Sequence, residues 1–373
     1  MNIYEIQINL ALSLLLIILS IHAYLKMNRK NSTNKLFLII MGGILLLLIL
    51  EVCDVILNQL PNSNWINAHK VVNIIGFGFT PLILVMGYLF KLNWLNLYRK
   101  EKIKPNKWLY IPFLINALAA ILSFKWGFLF DINTSNLYER GPWFFILPSV
   151  SYFYFMYNLY FIYKHHHMFS NSEIVIFSSF YIVPAIFTST QLIYPFVLTT
   201  WSSAAVIAVV IYIFILNDQL YKDSLTGLEN RHAYEHYAQN VETKKLNKLS
   251  VVFLDLDNLK IINDQFGHQE GDEALKNFAN LLSDGFSFNE RKFIRLGGDE
   301  FLILLEERRR ENLEVYINDF IERVEDYNMF SLKPYRIEFS YGLVKYNNDA
   351  DIHQLLKRAD QLMYQHKQNR KQI

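Results

Sequence analysis

Apolar residues fill the first part of the chain in long, nearly unbroken runs; beyond Asn217 they alternate with charge at the periods of strands and amphipathic helices. Seven runs of roughly 17 to 25 residues are long enough to cross a bilayer as helices: 7–25, 36–58, 70–90, 108–124, 143–163, 174–197 and 200–217. The pattern therefore predicts an α-helical transmembrane bundle of seven spans over 1–217, followed by an α/β domain over 218–373. Pro148, Pro184 and Pro195 fall inside spans, where neighbouring helices re-satisfy the freed backbone. The first span lacks a basic leader and a small-residue cleavage site, so it is expected to be a retained helix.

Basic residues accumulate in cytoplasmic loops. Lys26, Arg29, Lys30 and Lys35 follow the first span, and Lys91, Arg99, Lys100, Lys102, Lys104 and Lys107 follow the third. Lys164 follows the fifth. The opposite loops hold only Lys70, Lys125 and Arg140. This asymmetry predicts a multi-pass protein of the cell membrane with its N-terminus outside and its C-terminal domain cytoplasmic, in contact with membrane lipid. The join Asn217–Lys222 has no Gly/Ser linker and predicts a helix continuing out of the membrane.

Beyond the join, Leu249–Leu256 alternates and is rich in Val, Phe and Leu, a buried strand that ends on Asp255 and Asp257. Helices are expected from Asn258 to Phe266, Glu270 to Leu282, about 309–326, and Ile352 to Gln368. Strands are expected over Phe293–Leu296, Phe301–Leu305 and Arg336–Lys345. Gly297-Gly298-Asp299-Glu300 stands between two of these strands and reads as a hairpin turn. Adjacent glycines let the backbone turn sharply and approach a bulky anion. An acidic residue after them, opposite a strand ending in Asp255-Leu256-Asp257, can complete an oxygen cage for Mg²⁺, which takes one or two carboxylates and lets substrate phosphates supply the rest. Two carboxylates facing a triphosphate are the equipment of nucleotidyl transfer.

Composition narrows the remaining choices. A formal net charge of +2 speaks against nucleic acid as a partner. The one cysteine, Cys53, excludes an intramolecular disulfide and a Cys-rich metal site. Glu51 and Asp54 share a helical face near the outer end of the second span. They read either as a carboxylate pair at the water interface or as a ligand, ion or proton site facing the bundle interior. His165, His166 and His167 read as a juxtamembrane run meeting lipid headgroups rather than zinc.

Across about 220–371 the chain resembles the GGDEF family of diguanylate cyclases, which condense two GTP into cyclic di-GMP and two pyrophosphates. Four blocks carry the resemblance: Asp223–Arg231, Asp255–Asp272, Arg295–Phe301 and Ala359–Lys367. The resemblance implies a nucleotidyl cyclase fold and two Mg²⁺ per active site, with Mn²⁺ as a substitute. It also implies a homodimer that brings two GTP face to face through its GGDEF domains. By position, Asp255, the carbonyl of Leu256, and Asp299 match metal ligands, and Asp299 also assists deprotonation of the ribose 3′-hydroxyl. Glu300 neighbours the second metal, and Lys260 matches the lysine that stabilises the transition state. Asn263 and Asp272 match the readers of guanine, while His268, Gly297, Gly298 and Lys367 match positions around the substrate and its phosphates.

The chain departs from the family at Leu259, usually aromatic, and in the tail Lys367-Gln-Asn-Arg-Lys371, where Lys371 stands for an arginine. An Arg-x-x-Asp product site would need its arginine at Phe288 and its carboxylate at Arg291, so that motif is missing. Three alternatives remain beside a membrane-bound cyclase regulated by an unknown signal ligand at its transmembrane domain: altered product choice such as cyclic GMP-AMP, which Asp272 argues against, and two that change the class of protein. One is a catalytically silent GGDEF domain binding GTP or cyclic di-GMP. The other is a transporter with a regulatory domain, for which no internal repeat is seen.

Overall fold

The computed structural model describes residues 3–27, 31–98, 103–194, 197–241, 249–283, 291–306, 313–346 and 351–371. Arg29, Lys30, Arg99, Lys100, Lys102, Pro195, Phe288 and the start of the helix expected over 309–326 lie outside them. The chain divides into two compact units, Met1–Phe214 and Ile215–Ile373.

Among the described residues seven α-helices build the first unit, the last of them running on past its end: α1 (Ile3–Lys26), α2 (Ser32–Asn58), α3 (Ile66–Tyr98), α4 (Tyr110–Trp126), α5 (Ile146–Lys164), α6 (Asn171–Ile193) and α7 (Thr200–Tyr221). Six of these stretches, all but α5, are long and apolar enough to cross a membrane among the described residues. The outside of the unit is apolar: Leu14, Leu25, Leu118, Val175 and Ile213 are all exposed. Polar side chains instead face inward, and Asn9, His69, Asn73, Asn116 and Asn158 are buried. That inversion suits a bundle whose solvent is hydrocarbon, where only internal partners can satisfy a polar group. Local chemistry sets the helix ends. Asn31 caps α2 through Thr33, and Ser170 and Glu173 form a reciprocal capping box on α6. The Glu173 carboxylate also accepts from Trp94 Nε1 at 2.7 Å.

Two features of this unit were not expected. A short hairpin, β1 (Phe130–Ile132) with β2 (Tyr138–Arg140), follows α4, its register running from Phe130↔Arg140 to Ile132↔Tyr138. At its turn Asn136 takes φ 61° and donates from its amide to Leu57 O at 2.7 Å and Leu60 O at 2.9 Å. The second feature corrects the loop assignment of Lys91. Helix α3 outruns its apolar stretch, and Lys91 is only 1% exposed. Its Nζ donates to Asn158 Oδ1 at 2.6 Å and Tyr181 Oη at 2.5 Å, so acceptors on α5 and α6 draw it inside.

The second unit is a five-stranded sheet in the order β3-β5-β6-β4-β7, with helices on both faces. Its strands are β3 (Glu229–Asn230), β4 (Leu249–Leu256), β5 (Arg291–Gly297), β6 (Glu300–Glu306) and β7 (Phe339–Lys345). Its helices are α8 (Arg231–Asn240), α9 (Leu259–Phe266), α10 (His268–Ser283), α11 (Leu313–Phe330) and α12 (Ile352–Lys371). Only β3 pairs in parallel, with β5; the other pairs are antiparallel. Alternation along β4 splits the core. Val252, Leu254 and Leu256 pack with α10 and α11, and Leu249, Val251 and Phe253 pack with α8 and α12. Strand β7 begins at Phe339, later than its sequence suggests, because Asn328 on α11 both donates to Ile337 O and accepts from Ile337 N.

Candidate active site

The carboxylates of the second unit gather because three elements end together. Strand β4 delivers Asp255 and Asp257 at its last turn, and the β5–β6 hairpin lays Asp299 and Glu300 alongside, with Asp255 opposite Glu300 in the ladder. Leu256 N donates to Asp299 O at 2.9 Å, fixing the turn to the strand end. The turn requires its glycines: Gly297 has φ 153° and Gly298 φ 52°, values that L side chains rarely adopt. Arg295 holds the turn from beneath, donating from Nη2 to Gly298 O at 2.7 Å and from Nη1 to Asp223 Oδ1 at 3.0 Å.

Helix α12 brings the positive charge. Lys367 Nζ lies 2.5 Å from Asp255 Oδ1 and 3.8 Å from Asp257 Oδ1. Arg370 Nη1 lies 3.1 Å from Asp257 Oδ2 and donates to Phe339 O at 2.6 Å. Ser340 Oγ donates to both Asp257 oxygens, at 3.1 and 3.0 Å. Burial pushes the Asp255 carboxyl up; the bond from Lys367 pulls it back, and the charges of Asp299 and Asp257 add to the rise, so that it stays above its ordinary value. Burial also raises Glu300, with Asp299, Asp360 and Asp255 adding to it. Burial alone would lower Lys367, but its bond to Asp255 and the surrounding carboxylates raise it. The site is thus an anionic cluster short of cations.

The other expected residues stand around this cluster. Asn263 on α9 rests against Gly271, where any Cβ would overlap its carboxamide, so the packing of α9 on α10 brings Asn263 beside the Gly271-Asp272 step. Lys260, His268 and Asp272 are exposed, and among the described residues no hydrogen bond or ion pair joins them to the carboxylates. Arg370 is the residue that sequence reasoning passed over. The sequence pattern points to Lys371, but the preceding side chain, Arg370, reaches Asp257, and no local signal marks that contact.

The residues suit a hard divalent cation in part. Asp255 and Asp299 offer carboxylate oxygens, and a cation between them would relieve the burial and the like-charge repulsion that raise Asp255. No group of three or more His, Cys, Asp or Glu side chains converges on one point among the described residues.

Residues 220–372 match the family described as the diguanylate cyclase GGDEF domain. The diguanylate cyclase DgcS of Shewanella oneidensis is 31% identical over 150 residues, covering 39% of this chain and 49% of that protein. The diguanylate cyclase DgcP of Escherichia coli is 36% identical over 164 residues, covering 41% and 46%. Among solved structures, the GGDEF domain of DgcB from Caulobacter crescentus in complex with c-di-GMP is 26% identical with a TM-score of 0.36, covering 40% of this chain and 89% of that one. The chain spans about half the length of the curated relatives it matches.

Proposed function

We propose that this protein is a membrane-bound diguanylate cyclase that condenses two GTP into cyclic di-GMP and two pyrophosphates under control of its transmembrane region. The observation that carries the reading is the meeting of Asp255, Asp257, Asp299 and Glu300 at one sheet end, with Lys367 and Arg370 reaching in from α12. Such a cluster is built to exchange its own cations for those of a metal-bound triphosphate.

In this reading Asp255, the Leu256 carbonyl and Asp299 hold Mg²⁺, two ions per site, with Glu300 beside the second. When bound, the metal neutralises the triphosphate and acidifies the attacking hydroxyl. Asp299 takes part in removing the 3′-hydroxyl proton. Lys260 and Lys367 meet the phosphates, and Gly297 and Gly298 let backbone approach them without a side chain between. Asn263 and Asp272 read guanine: a carboxylate accepts from its ring N–H and amino group, a donor edge adenine lacks. His268 lies on the substrate side. Because each 3′-hydroxyl attacks the α-phosphate held by a second domain, the working species is a homodimer with an isologous contact.

Residues 1–217 form a seven-span sensor, with α5 as the seventh span, and 218–373 form the catalytic domain. The basic loops put the N-terminus outside the cell membrane and the catalytic domain in the cytoplasm. A signal ligand in the bundle would regulate the rate by population shift.

The test uses the full chain in lipid nanodiscs with GTP and Mg²⁺. Cyclic di-GMP and pyrophosphate are expected, and ATP should give neither. GTP binding without turnover would overturn the enzyme in favour of a binding module.

A further inference from the structure

The helical unit holds a partly open cavity of about 490 Å³ that the cyclase chemistry leaves unused. Its size falls in the range of small-molecule sites. Helices α2, α3, α5, α6 and α7 and strand β2 all contribute to its lining, with Phe77, Phe155, Phe180 and Trp201 supplying aromatic surface. The acidic and basic side chains on its wall are Glu51, Asp54 and Arg140.

Asp54 is already matched. Its Oδ1 lies 2.9 Å from His69 Nε2 and accepts from Asn73 Nδ2 at 2.5 Å. His69 is fully buried, and its Nδ1 lies 3.2 Å from Asn136 Oδ1. Asn136 spends its amide hydrogens on Leu57 O and Leu60 O, so its oxygen faces the ring and Nδ1 carries a hydrogen. Asp54 therefore already has a histidine and an amide as partners within the bundle.

Glu51 and Arg140 are not matched in this way. Among the described residues the Glu51 oxygens accept only from neutral amides, Gln191 Nε2 at 3.0 Å and Asn9 Nδ2 at 2.7 Å. Arg140, itself exposed, donates to the Leu192 carbonyl at 3.1 Å and stacks 4.5 Å over the Phe144 ring. Their partners Gln191 and Leu192 are consecutive residues, so the Glu51 carboxyl and the Arg140 guanidinium line the same part of the cavity. Among the described residues they form no ion pair with each other or with another side chain. An acidic and a basic group set apart along one largely apolar wall are both stabilised by a ligand that carries the complementary charges.

We propose that this cavity binds a small zwitterion with an apolar body, an amino acid of the size of phenylalanine. Its ammonium meets Glu51, its carboxylate takes the Arg140 fork, and its side chain lies among Phe77, Phe155 and Trp201. The inference deepens the reading of the bundle as a sensor and rests on the cyclase reading only for its consequence.

Calorimetry on the full chain in nanodiscs, without GTP, tests it with L-phenylalanine, phenethylamine (no carboxylate) and 3-phenylpropionate (no ammonium). Saturable binding of one phenylalanine per chain is expected, with each analogue at least about tenfold weaker. Arg140→Gln should erase the preference over phenethylamine, and Glu51→Gln the preference over 3-phenylpropionate; a purely structural role would not split them so. Thr80→Leu, which fills the cavity from α3, should abolish binding while size-exclusion profile and melting temperature are kept. Equal affinity for phenethylamine, or no binding of phenylalanine, overturns the proposal. So does a co-purified phospholipid, seen by native mass spectrometry, whose retention falls in Thr80→Leu. A chain that binds phenylalanine and makes no cyclic di-GMP keeps this inference and loses the cyclase; the reverse outcome separates them the other way.

Discussion

Each unit of this protein carries a close pair of carboxylates, and the two pairs are treated in opposite ways. Glu51 and Asp54 stand one turn apart on α2 and accept from Asn9, Gln191, Asn73 and His69, partners held by other helices or by the far side of the bundle. Asp255 and Asp257 stand two apart on β4 and are met by full cations, Lys367 and Arg370, on a helix face that is partly open to water. The lysines repeat the contrast. Lys91 is enclosed with only neutral acceptors, whereas Lys367 is surrounded by carboxylates. Partners inside a bundle are permanent, because leaving a polar group unpaired there costs several kcal/mol. In the cyclase reading, partners at the sheet end are exchangeable, because phosphate and metal would take their place.

The largest expected effect tests exchangeability directly. Asp299→Ala should cut cyclic di-GMP synthesis by roughly a thousandfold or more, the scale of losing several kcal/mol of charge stabilisation. The protein should still insert and melt normally; product chromatography beside a melting curve would show it, and full activity would remove Asp299 from the site. Next come the two lysines. Lys91→Met strands the acceptors Asn158 and Tyr181 and should destabilise the full chain by about 1–3 kcal/mol. Lys367→Met should instead lower turnover while leaving the melting temperature close to the parent's. If both variants fail in the same way, the contrast is false.

A smaller effect concerns acid. Burial alone would raise Asp223, but hydrogen bonds from Thr226 and Arg295 bring its pKa below the usual value. A group depressed in the folded state contributes stability above its unfolded pKa and loses it as pH falls through the folded one. Thermal melts of Asp223→Asn should therefore fall less steeply than the parent's below about pH 4. Asp255 and Glu300 have the opposite sign, since acidification relieves the burial of their charge and the repulsion added to it, so they cannot produce that loss. The smallest expected effect is none: added cyclic di-GMP at low micromolar levels should not inhibit noncompetitively, because Phe288 and Arg291 cannot build the Arg-x-x-Asp product site. Inhibition that GTP fails to relieve would point to another surface.

How much of this was legible follows from the range of each interaction. The strand ending on Asp255 and Asp257 and the Gly297–Glu300 turn were readable because alternation and turn chemistry are local. The contact of Arg370 with Asp257 was not, since the partners lie on α12 and β4 and only the folded sheet joins them. His69 was hidden for the same reason: it looks like a polar residue before a span until Asp54 and Asn136 close around it. Lys91 was misplaced because hydropathy ends a span where the apolar letters end, whereas α3 continues to Tyr98.

Strand β4 has one further consequence, for synthesis of the chain. It is buried along its whole length and lies between β6 and β7, so that Ser250 is paired with both Leu305 and Lys345. A nascent chain emerging from the ribosome can pair one side of β4 once β6 is made, but the other edge stays open until β7 follows. During that interval an apolar strand with unpaired N–H and C=O groups is a template for wrong pairing. Truncations ending just before Phe339 should therefore aggregate.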